Sequence, residues 1–209
     1  MPRVRADDYE KKRINILNAA STLFAEFGYS GTRMEEVAES CGVSKSMLYH
    51  YFKKKEDVLF AILQSHVTRL AELVGGHLRD NSDLGHEEFF RRFVQLWLEP
   101  TAMVRARHVV GMVEVRHLTA KQKTKQVKLE KVLLDLVGEV LGKLNDRLIP
   151  SERRIYSLLL IGMMNWVELW FKESGAVSPA ELYKMLGRLV MDGLLHVDGN
   201  KKKKAVSNL

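Results

Sequence analysis

The 209-residue chain carries 33 Lys+Arg against 26 Asp+Glu, a net charge of +7, and 46% of it is hydrophobic. That apolar share supports a packed core and excludes wholesale disorder. A single cysteine excludes an internal disulfide scaffold and points to a reducing cytoplasm. No run of about 20 apolar residues offers a membrane span, and no apolar signal core follows the charged stretch 1–9. A cytoplasmic protein with no membrane partner is expected.

The positive charge is concentrated at the ends. Residues 1–55 hold ten basic and seven acidic side chains, and Lys201, Lys202, Lys203 and Lys204 follow one another, while residues 56–200 balance. A basic end suits a polyanion, although a lysine tail such as 199–209 is ordinarily solvated and mobile.

No alternating Val/Ile/Thr-rich segments bounded by turns occur, so the expected fold class is all-α, with about nine helices. The first spans Tyr9 to Phe27, burying Ile14, Leu17, Leu23, Phe24 and Phe27, with Gly28 as its stop. The second begins at a capping box in which Thr32 and Glu35 exchange hydrogen bonds. Met34, Val37, Ala38 and Cys41 line its inner face, Cys41 as a small buried filler. Gly42, Val43 and Ser44 separate it from a third helix capped by Ser44, with Leu48, Tyr51 and Phe52 turned inward. A fourth runs from Lys55 to about Arg79, followed by helices near 87–99, 102–117, 120–147, 151–173 and 179–196. The eighth is apolar nearly all round and the ninth broadly apolar, more surface than one small bundle covers, which suggests a subunit interface.

A short helix, a three-residue glycine turn and a second short helix form a helix-turn-helix, whose second helix enters the major groove of DNA. With Leu48 and Phe52 inward, Lys45, Ser46, Tyr49 and His50 face outward, each able to hydrogen-bond a phosphate or base edge. Residues 9–60 resemble the DNA-binding domain of TetR-type transcriptional repressors, through Phe24-Ala25-Glu26-Phe27-Gly28-Tyr29, Thr32, Gly42-Val43-Ser44-Lys45, Leu48-Tyr49-His50-Tyr51-Phe52 and Lys55-Glu56. Where Ser46 and Met47 stand, the family more often has a small residue and Thr or Ala. The resemblance implies base contacts from Arg33, Lys45 and Ser46, with His50 on bases or backbone. It implies phosphate contacts from Thr32, Ser44, Tyr49, Tyr51 and Lys55, Tyr51 having packing as its alternative role.

The same resemblance implies a homodimer on a palindromic operator and three regions: 1–56 reading DNA, 57–198 binding an effector and dimerising, and 199–209 as the basic tail. Trp97, Met103, Met112, Val113, Arg116, Asn165, Trp166 and Trp170 are the candidate effector pocket, core packing being the competing role of each. Glu114 to Leu118, Gly162 to Trp166, Trp170-Phe171 and Ser178-Pro179 resemble a TetR subgroup that senses CoA thioesters. Its phosphates would need cations, for which Arg105, Arg107, Arg116, Lys121, Lys125 and Lys128 are available. Hydrophobic drugs and free acids are the alternative effectors.

No nucleophile triad, phosphate-binding loop or metal-binding spacing is present, so no catalytic residue, metal or cofactor is assigned and an enzyme is not expected. His108 and His117 near Glu114 read as ordinary surface residues. The alternative function is a helical architectural protein that binds DNA nonspecifically through its basic segments.

Overall fold

A computed structural model describes residues 2–98, 102–172 and 174–197. The tail 199–209 lies outside them, and so does the side chain of Met103. The described residues contain nine α-helices and no strand: α1 (Pro2–Gly31), α2 (Met34–Ser40), α3 (Lys45–Tyr51), α4 (Lys55–Asp80), α5 (His86–Trp97), α6 (Ala102–Val113), α7 (Ala120–Leu144), α8 (Pro150–Trp170) and α9 (Pro179–Leu195), with a 3-10 turn at Val115–His117. The chain divides into two compact units, one of residues 1–69 and 100–130, the other of 70–99 and 131–209.

The first unit is built around α1. Its buried stripe is Ile16, Leu17, Ala20 and Phe24, whereas Ile14 and Phe27 face solvent. The expected inner face was therefore slightly misphased, because Ile16 and Ala20, not Ile14, continue the line to Phe24 at helical spacing. Gly28, at φ +74° and ψ 159°, leaves the helical course as expected of a stop, and a short further helical stretch runs on to Gly31; side chains with a Cβ rarely adopt that backbone conformation. Leu48 from α3 and Val58, Leu59 and Ile62 from α4 close on this stripe with Val37 of α2. Val110 of α6 and Leu118 complete the same core. The helix-turn-helix and the α6–α7 connection are thus one packed body, although the 62 residues 52–113 separate them in sequence.

The second unit packs α5 against α9, with Phe89, Phe90, Phe93, Val94 and Trp97 buried on the former and Leu186, Val190, Met191 and Leu194 on the latter. Polar ties fix the ends. Asn145 Nδ2 donates to the carbonyls of Leu194 (2.7 Å) and Val197 (2.9 Å), and the Tyr183 hydroxyl donates to Leu98 O at 3.1 Å. Ser178 caps α9 by accepting from the Glu181 amide, and the Glu181 carboxylate accepts in return from the Ser178 amide.

By length and composition α4 does match a membrane span, contrary to the reading of the sequence, but half of that window is buried inside the protein. Val58, Leu59 and Ile62 are apolar because they fill the core.

Candidate nucleic-acid interface

Local chemistry sets α3 apart. Gly42 at φ +67° turns the chain, and Ser44 Oγ accepts from the Met47 amide at 3.2 Å, satisfying one of the free donors of the first turn. Leu48, fully buried, anchors the helix, with Phe52 behind it. Lys45, Ser46, Met47 and His50 are left on the solvent face; Tyr49 and Tyr51 are half-buried. Seven residues cannot hold a helix alone in water, so this one stands on Leu48 and its cap.

Two candidate base readers are held by acids of α2. Lys45 Nζ lies 2.5 Å from Glu35, which holds the ammonium above its ordinary pKa and the carboxylate below its own. Arg33 meets Glu36 through Nε at 3.0 Å and Nη2 at 2.8 Å. The Glu36 carboxylate also accepts from the Arg33 amide at 2.8 Å, so Arg33 is the N-cap of α2. The expected Thr32–Glu35 box is therefore corrected by one residue. Thr32 cannot serve as the cap because its hydroxyl is buried and donates backwards, toward Leu23 O at 3.2 Å and Gly28 O at 3.0 Å. Cys41 is only half-buried, its thiol 3.0 Å from Val37 O at the end of α2.

Lys55 also turns inward. Its ammonium donates to Tyr29 O at 2.7 Å and Thr32 O at 2.8 Å, and sits 4.2 Å from the centre of the Tyr29 ring. Tyr51 stacks on Tyr9 at 4.5 Å. The structure thus gathers Arg33, Ser44, Lys45, Ser46 and His50 at the surface, and commits Thr32 and Lys55 to the joint between α1, α2 and α4.

That joint holds residues with no role assigned from sequence. Glu114, 5% exposed, accepts from the Tyr29 amide at 3.0 Å, and His117 stacks on the Tyr29 ring at 4.6 Å while lying 3.3 Å from Glu114. Burial, aided by Glu56, Asp57 and Glu114, pushes the Tyr29 phenol up to about 12. Tyr29 is therefore a neutral hub between the α6 end and the helix-turn-helix. Deeper in this unit the His66 and His108 rings meet edge to face at 4.4 Å, so His108 is a buried residue and not the surface histidine expected from sequence. No group of three metal-ligating side chains occurs among the described residues.

The candidate effector residues do not gather within one unit. Trp97, buried, donates from Nε1 to Asn165 at 3.1 Å in the second unit, where Trp166 and Trp170 are 61% and 53% exposed. Met112, Val113 and Arg116 lie in the first unit, each exposed.

A capped helix standing clear of a small helical core, its polar residues outward, is the build of a helix-turn-helix DNA reader. The TetR N-terminal regulatory model matches residues 16–62 and a tetracyclin repressor-like C-terminal domain matches 83–194. The chain belongs to the TetR family of bacterial transcriptional regulators, which are not enzymes. It is similar to a TetR-family regulator from Bordetella parapertussis (33% identity, TM-score 0.75, 88% of this chain and 96% of that one). It shares its fold with AibR, solved in complex with isovaleryl coenzyme A and operator DNA (23% identity, TM-score 0.65, 88% and 96%). The activator FasR of Mycolicibacterium smegmatis is 39% identical over 74 residues, 35% of this chain. The match spans about a third of that relative's length, 34%. An architectural protein that reads no sequence is not favoured by these matches.

Proposed function

We propose that this chain is a cytoplasmic repressor that binds a palindromic operator as a dimer and leaves it when a small hydrophobic effector binds. Residues 1–56 read DNA, 57–198 dimerise and take the effector, and 199–209 supply a basic tail. The exposed face of α3 carries the reading. Arg33, Lys45, Ser46 and His50 form a polar donor surface that the fold holds rigidly but leaves without a protein covering, and the Ser44 cap presents the helix start. In the free chain Glu35 and Glu36 neutralise Lys45 and Arg33; a base edge offering two acceptors takes their place when DNA binds. Ser44, Tyr49 and Tyr51 flank the helix as phosphate contacts.

Operator selection with the purified protein tests this. A palindromic consensus is expected, and Lys45→Gln is expected to relax the preference at one base pair in each half-site. An unchanged consensus removes Lys45 from base reading. Absence of any preferred sequence over bulk genomic fragments ends the proposal.

The dimer rests on α8 and α9. Ile155, Leu158, Leu159, Trp166, Met185 and Leu189 are all exposed apolar side chains, and a groove of about 260 Å³ between these helices is lined by Leu159, Met163, Leu189 and Leu194. A face so apolar is stable in water only when covered, and a second copy covers it isologously. Leu189→Glu is expected to yield monomers in sedimentation and to weaken operator binding by about 100-fold, because each half-site then binds without the other. A dimeric Leu189→Glu protein would move the interface elsewhere.

For the effector, a CoA thioester is the first class to test, supported by the ligand of AibR and by the motif resemblance at 114–118 and 162–171. Release of the operator complex by isovaleryl-CoA or a longer acyl-CoA, but not by the free acid, is the expected result. Release by the free acid alone would make the acid the effector. Binding in either case favours a conformation in which the two α3 helices no longer match the operator.

A further inference from the structure

Helix α7 begins with charges that its own electrostatics disfavours. Lys121, Lys123, Lys125 and Lys128 occupy its first turns, all exposed, and its first turn holds no acidic residue. Cations near a helix start oppose the macrodipole. Lys121, Lys125 and Lys128 are also successive neighbours on one face, where like charges repel. Even the cap is uncharged: Thr119 and Gln122 exchange hydrogen bonds where an acid often stands. From residue 115 to 129 the chain contains Arg116 and four lysines but no Asp or Glu.

Three cations elsewhere in the same unit are neutralised in place, Lys12 by Asp8, Arg33 by Glu36 and Lys45 by Glu35. Among the described residues, none of the four α7 lysines has a carboxylate within ion-pair distance.

This basic strip is fixed to the helix-turn-helix. Leu118, two residues before α7, is buried in the core that holds α3. Gln122 Nε2 reaches Glu56 O at 3.4 Å and Asp57 Oδ1 at 3.3 Å on the first turn of α4. Immediately before that turn stand Lys53 and Lys54, both exposed. The strip from Lys121 to Lys128 adds about 10 Å of helix to that basic edge.

We propose that Lys121, Lys125 and Lys128, continuing from Lys53 and Lys54, form a second DNA surface that binds backbone phosphates flanking the half-site. The proposal rests on the reading that α3 carries sequence recognition. A polyanion relieves the repulsion along α7, and the rigid tie to α4 gives the lysines a constant register relative to α3. Phosphate contacts of this kind lengthen the footprint and raise affinity without altering base preference.

The test compares wild-type protein with the triple variant Lys121→Gln, Lys125→Gln, Lys128→Gln on two duplexes. One is the selected operator trimmed to the bases that the selection defines, and the other carries a further helical turn on each side. Wild type is expected to bind the longer duplex more tightly and with a steeper salt dependence. The variant is expected to lose that difference, its log–log salt slope on the longer duplex falling by about three for each protomer. Its affinity for the trimmed duplex and its consensus stay unchanged. Equal wild-type slopes on both duplexes overturn the proposal, as does an equal loss by the variant on both. A variant that keeps its slope but no longer responds to an acyl-CoA that releases the wild-type protein also overturns it, giving the lysines to the effector's phosphates. Wild-type protein without any sequence preference fails the α3 reading instead.

Discussion

Acidification from pH 8 to pH 5 is expected to remove about 4 kcal/mol of folding stability through two histidines. His66 on α4 and His108 on α6 are buried, 5% and 3% exposed, and burial is the main cause that depresses both, to about 3 and about 4. The charges nearest them push the same way: Arg107 and Arg69 for His66, which also feels His108, and Arg69 for His108. Arg107 is itself lowered by burial, and its Nη2 donates to the neutral Asn18 of α1 at 2.7 Å. In the unfolded chain each imidazole titrates near its ordinary value of 6.5.

A base whose folded pKa is depressed lends its full stability above the unfolded value, and that stability is lost as the pH falls. The loss therefore begins near pH 6.5 and is complete near pH 3. At pH 5 the unfolded chain is about 1.5 units below its own titration point, which at about 1.4 kcal/mol per unit costs about 2 kcal/mol for each histidine. His77 near the end of α4, packed on Phe89 of α5 at 4.4 Å and also lowered by burial, adds to the same trend. Urea unfolding at pH 8, 6.5 and 5 measures the slope, and the double variant His66→Gln, His108→Gln is expected to flatten most of it. An equal slope in that variant assigns the acid sensitivity elsewhere.

Elements whose cause is local were readable from the chain. Gly42 in the turn, Ser44 as the cap and Leu48 as the inward anchor are local signals, and the positive φ of Gly42 and the Ser44–Met47 hydrogen bond agree with them. The apolar excess of α8 and α9 was equally legible, because a helix without a polar face advertises the surface it must cover. Long-range choices were not. Thr32 has the chemistry of a cap, and only the kink at Gly28 brings carbonyls of α1 close enough to turn its hydroxyl inward. Nothing near Glu114 in sequence says that its acceptor role is toward a backbone amide 85 residues earlier. A lysine before an acidic turn reads as a free cation until the two carbonyls beside it are seen.

Lys55→Met tests that last point, with an expected loss of about 3 kcal/mol in folding stability and no change in the salt dependence of operator binding. The ammonium makes two hydrogen bonds to carbonyls, each worth about 1.5 kcal/mol or more when one partner is charged. Its contact with the Tyr29 ring adds about 0.5–1 kcal/mol. Methionine preserves the apolar stem but leaves Thr32 O without this donor, and Tyr29 O with only the longer contact from the Thr32 amide at 3.4 Å. A phosphate contact would instead show as a drop of about 0.9 in the log–log salt slope, with thermal stability largely retained. The two outcomes are mutually distinguishable in one protein. Glu114→Ala attacks the same hub from the other side, withdrawing the acceptor of the Tyr29 amide and leaving that donor buried. Because Glu114 and Lys55 both act on Tyr29, the double variant is expected to depart from additivity by more than about 0.5 kcal/mol. Strict additivity would mean that Tyr29 does not couple the end of α6 to the start of α4, and the hub would reduce to two independent contacts.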